Sequence, residues 1–390
     1  MPAMRKRWVF LLLLVAGTAL ALSGGRLARL TRSCQILDEL RRPGPDSWLR
    51  RSTPPPRVSA LTLASAGLRF AADLYRPASG AGAIPLILVP GLVEEGKDDA
   101  RVPPFARLLA RAGFLVVVPD LPSFRILRVS PEHVRDLAAA LDAVTARADL
   151  APRGRAGLFG ISYAGGIALL VALDPAHAQR VSFVATVGAY ADLDTVLRFA
   201  ATGRTFLHGR MRVVERDPYG QFVFLRTYEE FLADARDSVL LEAMAARRFD
   251  NPSARLTDLA AGLGPRGRLI YDLFETSPPD RVPELIGRLP VVLASRMGRL
   301  SPGRRSFATL AAPLYLAHGR DDGIVPVTET YRLAELARGH TPVHMVVLDA
   351  FQHVEAEPER RGPWGLLTRE LPEALRLAWW WYGLLGERER

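Results

Sequence analysis

Short apolar stretches separated by turn residues run through most of the chain and predict strands. Six of them are continuous and rich in Val, Ile and Leu, as strands buried on both faces of a parallel sheet are: IPLILVPG, FLVVVPD, AGLFG, RVSFVATVG, PLYLAHG and VHMVVLD. Before these six, VSALTLAS and LRFAADLYRP are separated by an Ala-Gly pair. This pattern predicts an opening hairpin followed by a series of parallel strands.

Helical periodicity appears between several of these stretches. Residues 104–112 and 131–146 have apolar side chains at helical spacing, and the second segment places Val134, Leu137, Leu141 and Val144 on one face. Strands that alternate with helices predict an α/β fold with a mostly parallel, doubly wound sheet. From about Asp194 to Ser306 the alternation stops. This stretch has helix-like runs such as residues 228–248, and prolines interrupt it at positions 278, 279, 283 and 290. We interpret this stretch as a helical insertion after the sixth strand.

The first 57 residues differ from the rest of the chain. A basic RKR tripeptide precedes the uncharged run WVFLLLLVAGTALAL (residues 8–22), which has the length of a signal-peptide core or a short membrane anchor. The ALA tripeptide inside it fits a cleavage site, whereas the arginines that follow favour an uncleaved anchor. We therefore expect residues 1–25 to attach the protein to a membrane or to direct its export, and both membrane faces remain possible.

The domain boundaries follow from these patterns. Residues 26–57 are basic and rich in proline, which predicts an extended linker. The folded core is predicted to comprise residues 58–193 and 307–390, with the insertion at residues 194–306.

The net charge of +10 is concentrated in the first 57 residues, where eleven basic side chains face three acidic ones and give +8. Residues 58–390 therefore carry only +2, so the basic stripe that nucleic-acid binding requires is not expected. The chain has one cysteine, which excludes an intramolecular disulfide and any metal site built from several cysteines. We expect no nucleic-acid partner, no metal and no cofactor.

A candidate nucleophile lies where the strand AGLFG meets the next helix. The chain reads Gly160-Ile161-Ser162-Tyr163-Ala164-Gly165, and a serine on a sharp turn between strand and helix needs small residues two positions before and after it. The alternative is a glycine-rich turn whose serine only caps the helix.

A serine nucleophile requires a base, and the seven histidines must supply it. His353 follows the last predicted strand, at the carboxyl edge of the sheet where α/β sites assemble. His318 also ends a strand and is the rival, although its place directly before the turn GRDDGIVP favours a packing role beside that turn.

With Ser162 and His353 in place, the chain resembles the α/β-hydrolase superfamily, whose members show the order serine, acid, histidine. The resemblance covers roughly residues 58–381 apart from the insertion. It implies that Asp322 is the acid, with Asp321 as the alternative.

The resemblance also implies two oxyanion-hole donors. These are the backbone N–H groups of Leu92 and Tyr163. Two departures stand out, since relatives often have histidine where this chain has Pro90 and glycine where it has Ala164. Both departures leave the backbone donors in place.

These residues predict a serine hydrolase that cleaves a carboxylic ester through an acyl-enzyme. In relatives the insertion forms a cap over the pocket. Its seven aromatic residues between positions 199 and 231 favour an apolar acyl or alkyl group, or else form the cap's own core: Phe199, Phe206, Tyr219, Phe222, Phe224, Tyr228 and Phe231. Two alternatives remain open: a thioesterase or acyltransferase with the same triad, and a catalytically inactive, membrane-tethered binding protein.

Overall fold

The computed structural model describes residues 25–78, 80, 84–207, 209–232, 234–251, 254–276, 278–349, 351–352, 355–356 and 371–388. The predicted membrane anchor in residues 1–24 lies outside these ranges. Within them, no helix combines the length and the apolar character that crossing a membrane requires.

Eight strands form the central sheet, in the order β1-β2-β4-β3-β5-β6-β9-β10. Strand β2 runs antiparallel to both β1 and β4, and the other neighbouring pairs are parallel. The prediction of an opening hairpin and a mostly parallel sheet is therefore confirmed. The strands are β1 (Arg57–Ser65), β2 (Leu68–Arg76), β3 (Leu86–Val89), β4 (Val116–Pro119), β5 (Ala156–Ile161), β6 (Val181–Val187), β7 (Arg204–Leu207), β8 (Arg210–Val213), β9 (Leu314–Gly319), β10 (Val343–Leu348), β11 (Phe351–Gln352) and β12 (Glu355–Ala356).

Helices cover both faces of the sheet. They are α1 (residues 25–41), α2 (Trp48–Ser52), α3 (Val102–Arg111), α4 (Glu132–Thr145), α5 (Tyr163–Leu173), α6 (Leu193–Thr202), α7 (Pro218–Tyr228), α8 (Ala235–Asp250), α9 (Thr257–Ala260), α10 (Pro265–Tyr271), α11 (Val282–Gly287), α12 (Val291–Arg299), α13 (Thr328–Ala337) and α14 (Leu371–Glu387). Short 3₁₀ turns occupy Gly96–Asp98, Pro122–Ile126, Ala178–Arg180, Glu229–Phe231, Pro279–Arg281 and Pro302–Arg304, and a π turn occupies Asp272–Thr276.

Each face of the sheet has its own hydrophobic core. In β3, Leu86 and Leu88 face the core that includes α3 and α14, whereas Ile87 and Val89 face the core that includes α4 and α5. This alternation follows from the two-residue period of a strand. Both cores are closed to water, which explains why the strand sequences are apolar at consecutive positions.

The prediction that residues 26–57 form an extended linker is wrong for residues 26–52, which contain two helices. Helix α1 has apolar residues at helical spacing, and the prolines at positions 43 and 45 lie between α1 and α2, outside both helices. The side chain of Ser47 accepts a hydrogen bond from the backbone N–H of Arg50 and begins α2. Ile36 and Leu49 are fully buried in the same core as α14. The folded unit therefore includes α1 and α2.

The cap occupies the stretch between β6 and β9. It is not purely helical, because β7 and β8 pair as an antiparallel hairpin next to α6. The single helix suggested by residues 228–248 is interrupted: α7 ends at Tyr228, and α8 begins after Asp234, whose carboxylate accepts the backbone N–H of Arg236 at 2.8 Å. An aspartate in this position starts a helix rather than continuing one.

Candidate active site

Ser162 is the single residue between β5 and α5, and its backbone conformation is strained. Its φ is +54° and its ψ is −127°, a region that L-residues rarely occupy and that costs about 1–3 kcal/mol. Its N–H donates to the carbonyl of Val187 at 2.7 Å, which ties the turn to β6. The hydroxyl makes no helix-capping hydrogen bond. The turn therefore has the geometry of a nucleophile elbow and not that of a serine helix cap.

The small residues around Ser162 are required by close packing. A Cβ atom on Gly160 would lie 2.5 Å from the carbonyl oxygen of Ala164, and one on Gly165 would lie 2.7 Å from the Cβ of Ala189. Ala164 is itself fully buried, so its methyl group is accommodated inside the turn. Strand β5 and helix α5 can meet this sharply only because these positions lack larger side chains.

The side chain of Tyr163 is fixed from two sides. Its ring stacks on Tyr190 with the centroids 5.5 Å apart, and its hydroxyl oxygen lies 3.0 Å from Nδ1 of His133. The other ring nitrogen of His133 lies 2.9 Å from the carbonyl of Ser123, which can only accept, so Nε2 carries the proton and Nδ1 accepts from Tyr163. The backbone N–H of Tyr163 lies in the first turn of α5, where it has no partner within the helix.

The predicted second oxyanion donor, Leu92, follows β3 in a loop that lies against Ser162. A Cβ atom on Gly91 would lie 3.4 Å from the Cβ of Ser162, so the loop passes at contact distance from the serine. Leu92 is buried, and its carbonyl accepts a hydrogen bond from the hydroxyl of Tyr219 in the cap. Leu92 and Ser162 line the same cavity.

The two candidate acids differ sharply. The side chain of Asp322 is fully buried, and its Oδ1 accepts the backbone N–H groups of Ile324 at 2.8 Å and Val325 at 2.9 Å. The side chain of Asp321 is 51% exposed and pairs with Arg212 at 2.7 Å. Buried backbone donors fix a carboxylate in one orientation, as a triad acid needs, whereas a half-exposed ion pair leaves it mobile.

His318 packs against residues 319–326, the turn that carries both candidate acids and that we call the acid turn, and is fully buried. Its Nε2 lies 2.9 Å from the carbonyl of Val325 and 3.3 Å from Oδ2 of Asp322, and its Nδ1 lies 2.6 Å from the hydroxyl of Thr330. Both ring nitrogens of His318 therefore have partners, in the turn and in α13. His353, the predicted base, lies outside the described residues.

A cavity of about 1130 Å³ opens at Ser162. Its apolar wall includes Leu92, Val102, Phe105, Leu108, Ile161 and Val187. Of the seven cap aromatics, all within the described ranges, Tyr219 is the one that lines it. Others pack inside the cap, such as Phe224 and Tyr228, whose ring centroids lie 6.2 Å apart. The cap aromatics therefore mainly form the cap's own core.

Sequence reasoning missed part of the cavity wall. Glu39, Leu40 and Arg50 of the N-terminal helices line it, and Arg50 is held by Glu39 at 2.6 Å. The helical spacing of apolar residues in α1 was the available signal for a packed helix. Tyr219 is one of the cap aromatics in the sequence, and nothing local to it indicates a contact with residue 92.

No group of three or more potential metal ligands occurs among the residues that the structure describes.

The charged residues at positions 94–99 include side chains that form ion pairs away from the cavity and side chains that line it. Lys97 pairs with Asp98 at 2.7 Å and with Asp73 at 3.3 Å, whereas Asp99 pairs with Arg101 at 2.9 Å and both line the cavity.

Residues 84–220 match the family described as the alpha/beta hydrolase fold. The matched segment runs from β3 to the start of α7 and includes the turn at Ser162. The chain has the α/β-hydrolase fold. The resemblance to the α/β-hydrolase superfamily is therefore confirmed.

Several solved structures are similar to this chain at low sequence identity. An acylaminoacyl peptidase from Pyrococcus horikoshii is 11% identical with a TM-score of 0.47, over 84% of this chain and 41% of that one. The esterase domain of a Rhodothermus marinus protein is 18% identical with a TM-score of 0.41, over 85% of this chain and 97% of that one. A thermostable esterase from Pseudomonas putida is 16% identical with a TM-score of 0.43, over 85% and 83%.

This chain spans about two fifths of the length of the acylaminoacyl peptidases. No curated protein sequence matches it. The assignment of the α/β-hydrolase fold therefore rests on the strand order and the family match.

Proposed function

We propose that this α/β-hydrolase-fold protein is a serine hydrolase that cleaves carboxylic esters, with Ser162 as nucleophile, His353 as base and Asp322 as acid. The observation that carries the proposal is the backbone of Ser162, which holds a strained φ of +54° in the wall of a cavity of about 1130 Å³. Strain of this kind persists where the surroundings enforce it, and it is frequent at active sites.

The proposed reaction begins when Oγ of Ser162 attacks the ester carbonyl carbon and His353 takes the hydroxyl proton. The carbonyl oxygen becomes an oxyanion and accepts the N–H groups of Leu92 and Tyr163. When the tetrahedral intermediate collapses, the carbon–oxygen bond breaks and the imidazolium gives its proton to the leaving alcohol. Water then repeats the sequence on the acyl-enzyme, releasing the acid and free serine.

Asp322 contributes by orienting His353 and stabilising the imidazolium. Two backbone N–H groups hold its Oδ1, so that the carboxylate is already fixed before the reaction begins. Proper orientation of the base by a buried acid is worth about 10⁴ in kcat in serine hydrolases.

The cavity supports an ester with an apolar group. Its volume of about 1130 Å³ exceeds what a small acetyl ester fills, and the side chains beside Ser162 are aliphatic and aromatic. The charged pairs Arg50–Glu39 and Arg101–Asp99 also line it. Because each charge has its counter-ion, these pairs favour neither an anionic nor a cationic substrate.

A fluorophosphonate probe tests the proposal on the full chain. We expect labelling of the wild type and of Ser59→Ala, whose serine is exposed on β1, and loss of labelling in Ser162→Ala. Hydrolysis of p-nitrophenyl esters of increasing acyl length should depend on the same serine. If folded wild-type protein takes up no probe, the triad is wrong and a binding role on this fold becomes the better explanation.

A further inference from the structure

A short segment of the cap contacts two loops that line the same cavity as Ser162. We call residues 215–219, between β8 and α7, the strap. The N–H of Asp217 donates to the carbonyl of Gly323 at 3.0 Å, in the turn that carries Asp322. At the other end of the strap, the hydroxyl of Tyr219 donates to the carbonyl of Leu92, in the proposed oxyanion loop.

The strap fits the acid turn closely. A Cβ atom on Gly323 would lie only 2.6 Å from the carbonyl oxygen of Glu215, so the two backbones are in direct contact there. The carboxylate of Asp217 accepts the N–H of Tyr219 at 2.8 Å and begins α7. Tyr219 therefore projects from the first turn of a helix whose start is fixed by the acid turn.

The hydroxyl of Tyr219 acts on the backbone of the oxyanion loop. Burial, as the largest cause, raises the pKa of this phenol above its ordinary value, so the group stays protonated and can donate at neutral pH. The carbonyl that it binds belongs to the same residue whose N–H is the proposed oxyanion donor. That carbonyl belongs to the peptide that follows Leu92, so a hydrogen bond to it restricts the backbone rotations of Leu92 that relate this peptide to the one carrying its N–H.

We propose that Tyr219 is a positioning residue, which holds the oxyanion loop in its productive orientation from the cap. This inference rests on the proposed ester hydrolysis. The oxyanion forms only in the transition state, so an N–H that points elsewhere weakens that state and leaves ground-state binding nearly unchanged. Docking of the strap on the acid turn then assembles both halves of the site together.

Steady-state kinetics of Tyr219→Phe in the full chain test the inference, with Tyr271→Phe as the matched control. Tyr271 is a buried tyrosine of the same cap that does not line the catalytic cavity. Losing a complete oxyanion donor costs about 10²–10³ in kcat, so a misdirected one should cost about 10-fold or more. We expect KM to stay within about threefold and the control to match the wild type.

Inhibition by an alkylboronic acid provides a second measurement, which would not change if Tyr219 contributed only to the stability of the fold. It forms a tetrahedral adduct with serine, and we expect its inhibition constant to rise in Tyr219→Phe by the same factor as kcat/KM falls. Tyr219→Met, which fills the space without a donor, should behave alike, and melting curves report the folded fraction of each variant.

Three results overturn the inference: unchanged kinetics, a raised KM with unchanged kcat, and an activity loss accounted for by unfolded protein in both variants. Failure of the proposed function has a different signature, because the wild type itself then shows no turnover that depends on Ser162.

Discussion

The Nδ1 atom of His133 lies 3.0 Å from the hydroxyl oxygen of Tyr163, the residue directly after Ser162. His133 is fully buried, and burial lowers its pKa from 6.5 to about 4. The neutral ring accepts from Tyr163 and donates to Ser123, and a protonated ring can no longer accept. Keeping the elbow in place therefore requires a neutral histidine in the interior.

We predict that the free energy of unfolding falls as the pH drops from about 6.5 to 4. Above pH 6.5 the histidine is neutral in both states and contributes no pH dependence. Between these values the unfolded chain binds the proton and the folded one does not, so acid favours unfolding, by up to about 3 kcal/mol. Urea unfolding at several pH values measures this change in the free energy of unfolding.

Two variants separate His133 from other titrating groups. His133→Gln should flatten the pH dependence between 6.5 and 4, whereas His340→Gln, at an exposed position, should leave it as in the wild type. Equal slopes in His133→Gln and the wild type would show that another group controls the acid response.

A methyl group at Gly160 should disrupt the elbow. The added Cβ would lie 2.5 Å from the oxygen and 2.6 Å from the carbon of the Ala164 carbonyl, and backbone atoms cannot move aside as a side-chain tip can. We expect the rate of fluorophosphonate labelling to fall about 100-fold or more in Gly160→Ala. Removing a positioned catalytic group costs a factor of this order. Gly287→Ala, where a Cβ would meet nothing within 4 Å, should label normally. Equal labelling of both variants would contradict the tight elbow.

The N-terminal helices should contribute to stability as core elements. Ile36 is fully buried among α14 residues, and truncating a buried isoleucine to alanine costs about 2–5 kcal/mol. We expect Ile36→Ala to lower the free energy of unfolding by that amount in chemical denaturation. Leu27→Ala, at a position 65% exposed in the same helix, should change it by less than about 0.5 kcal/mol. Similar small effects would mean that α1 is only loosely attached.

The strands and the elbow could be predicted because their signals are local. A buried strand needs consecutive apolar residues, and the turn at Ser162 needs small neighbours, so both leave a mark in a few adjacent letters. The helix α1 was hidden because prolines at positions 43 and 45 suggested an extended chain, although they lie only between two helices. Its burial depends on α14, more than 300 residues later.

The contact between Tyr219 and Leu92 could not be predicted for the same reason. It joins residues 127 apart, through a hydroxyl whose partner is a backbone carbonyl. Any residue has such a carbonyl, so the sequence at position 92 carries no mark of the contact.

The choice between Asp321 and Asp322 leads to the last prediction. Asp322→Asn keeps the shape of the side chain but removes the charge that stabilises an imidazolium, so kcat for ester hydrolysis should fall by about 10³–10⁴. Asp321→Asn breaks only a half-exposed pair with Arg212, worth about 0–1 kcal/mol, and kcat should stay within about threefold. Measuring kcat for both variants with one ester decides the matter. A large loss in Asp321→Asn alone would assign the acid to Asp321 and leave the buried Asp322 as a structural acceptor for the backbone of its turn.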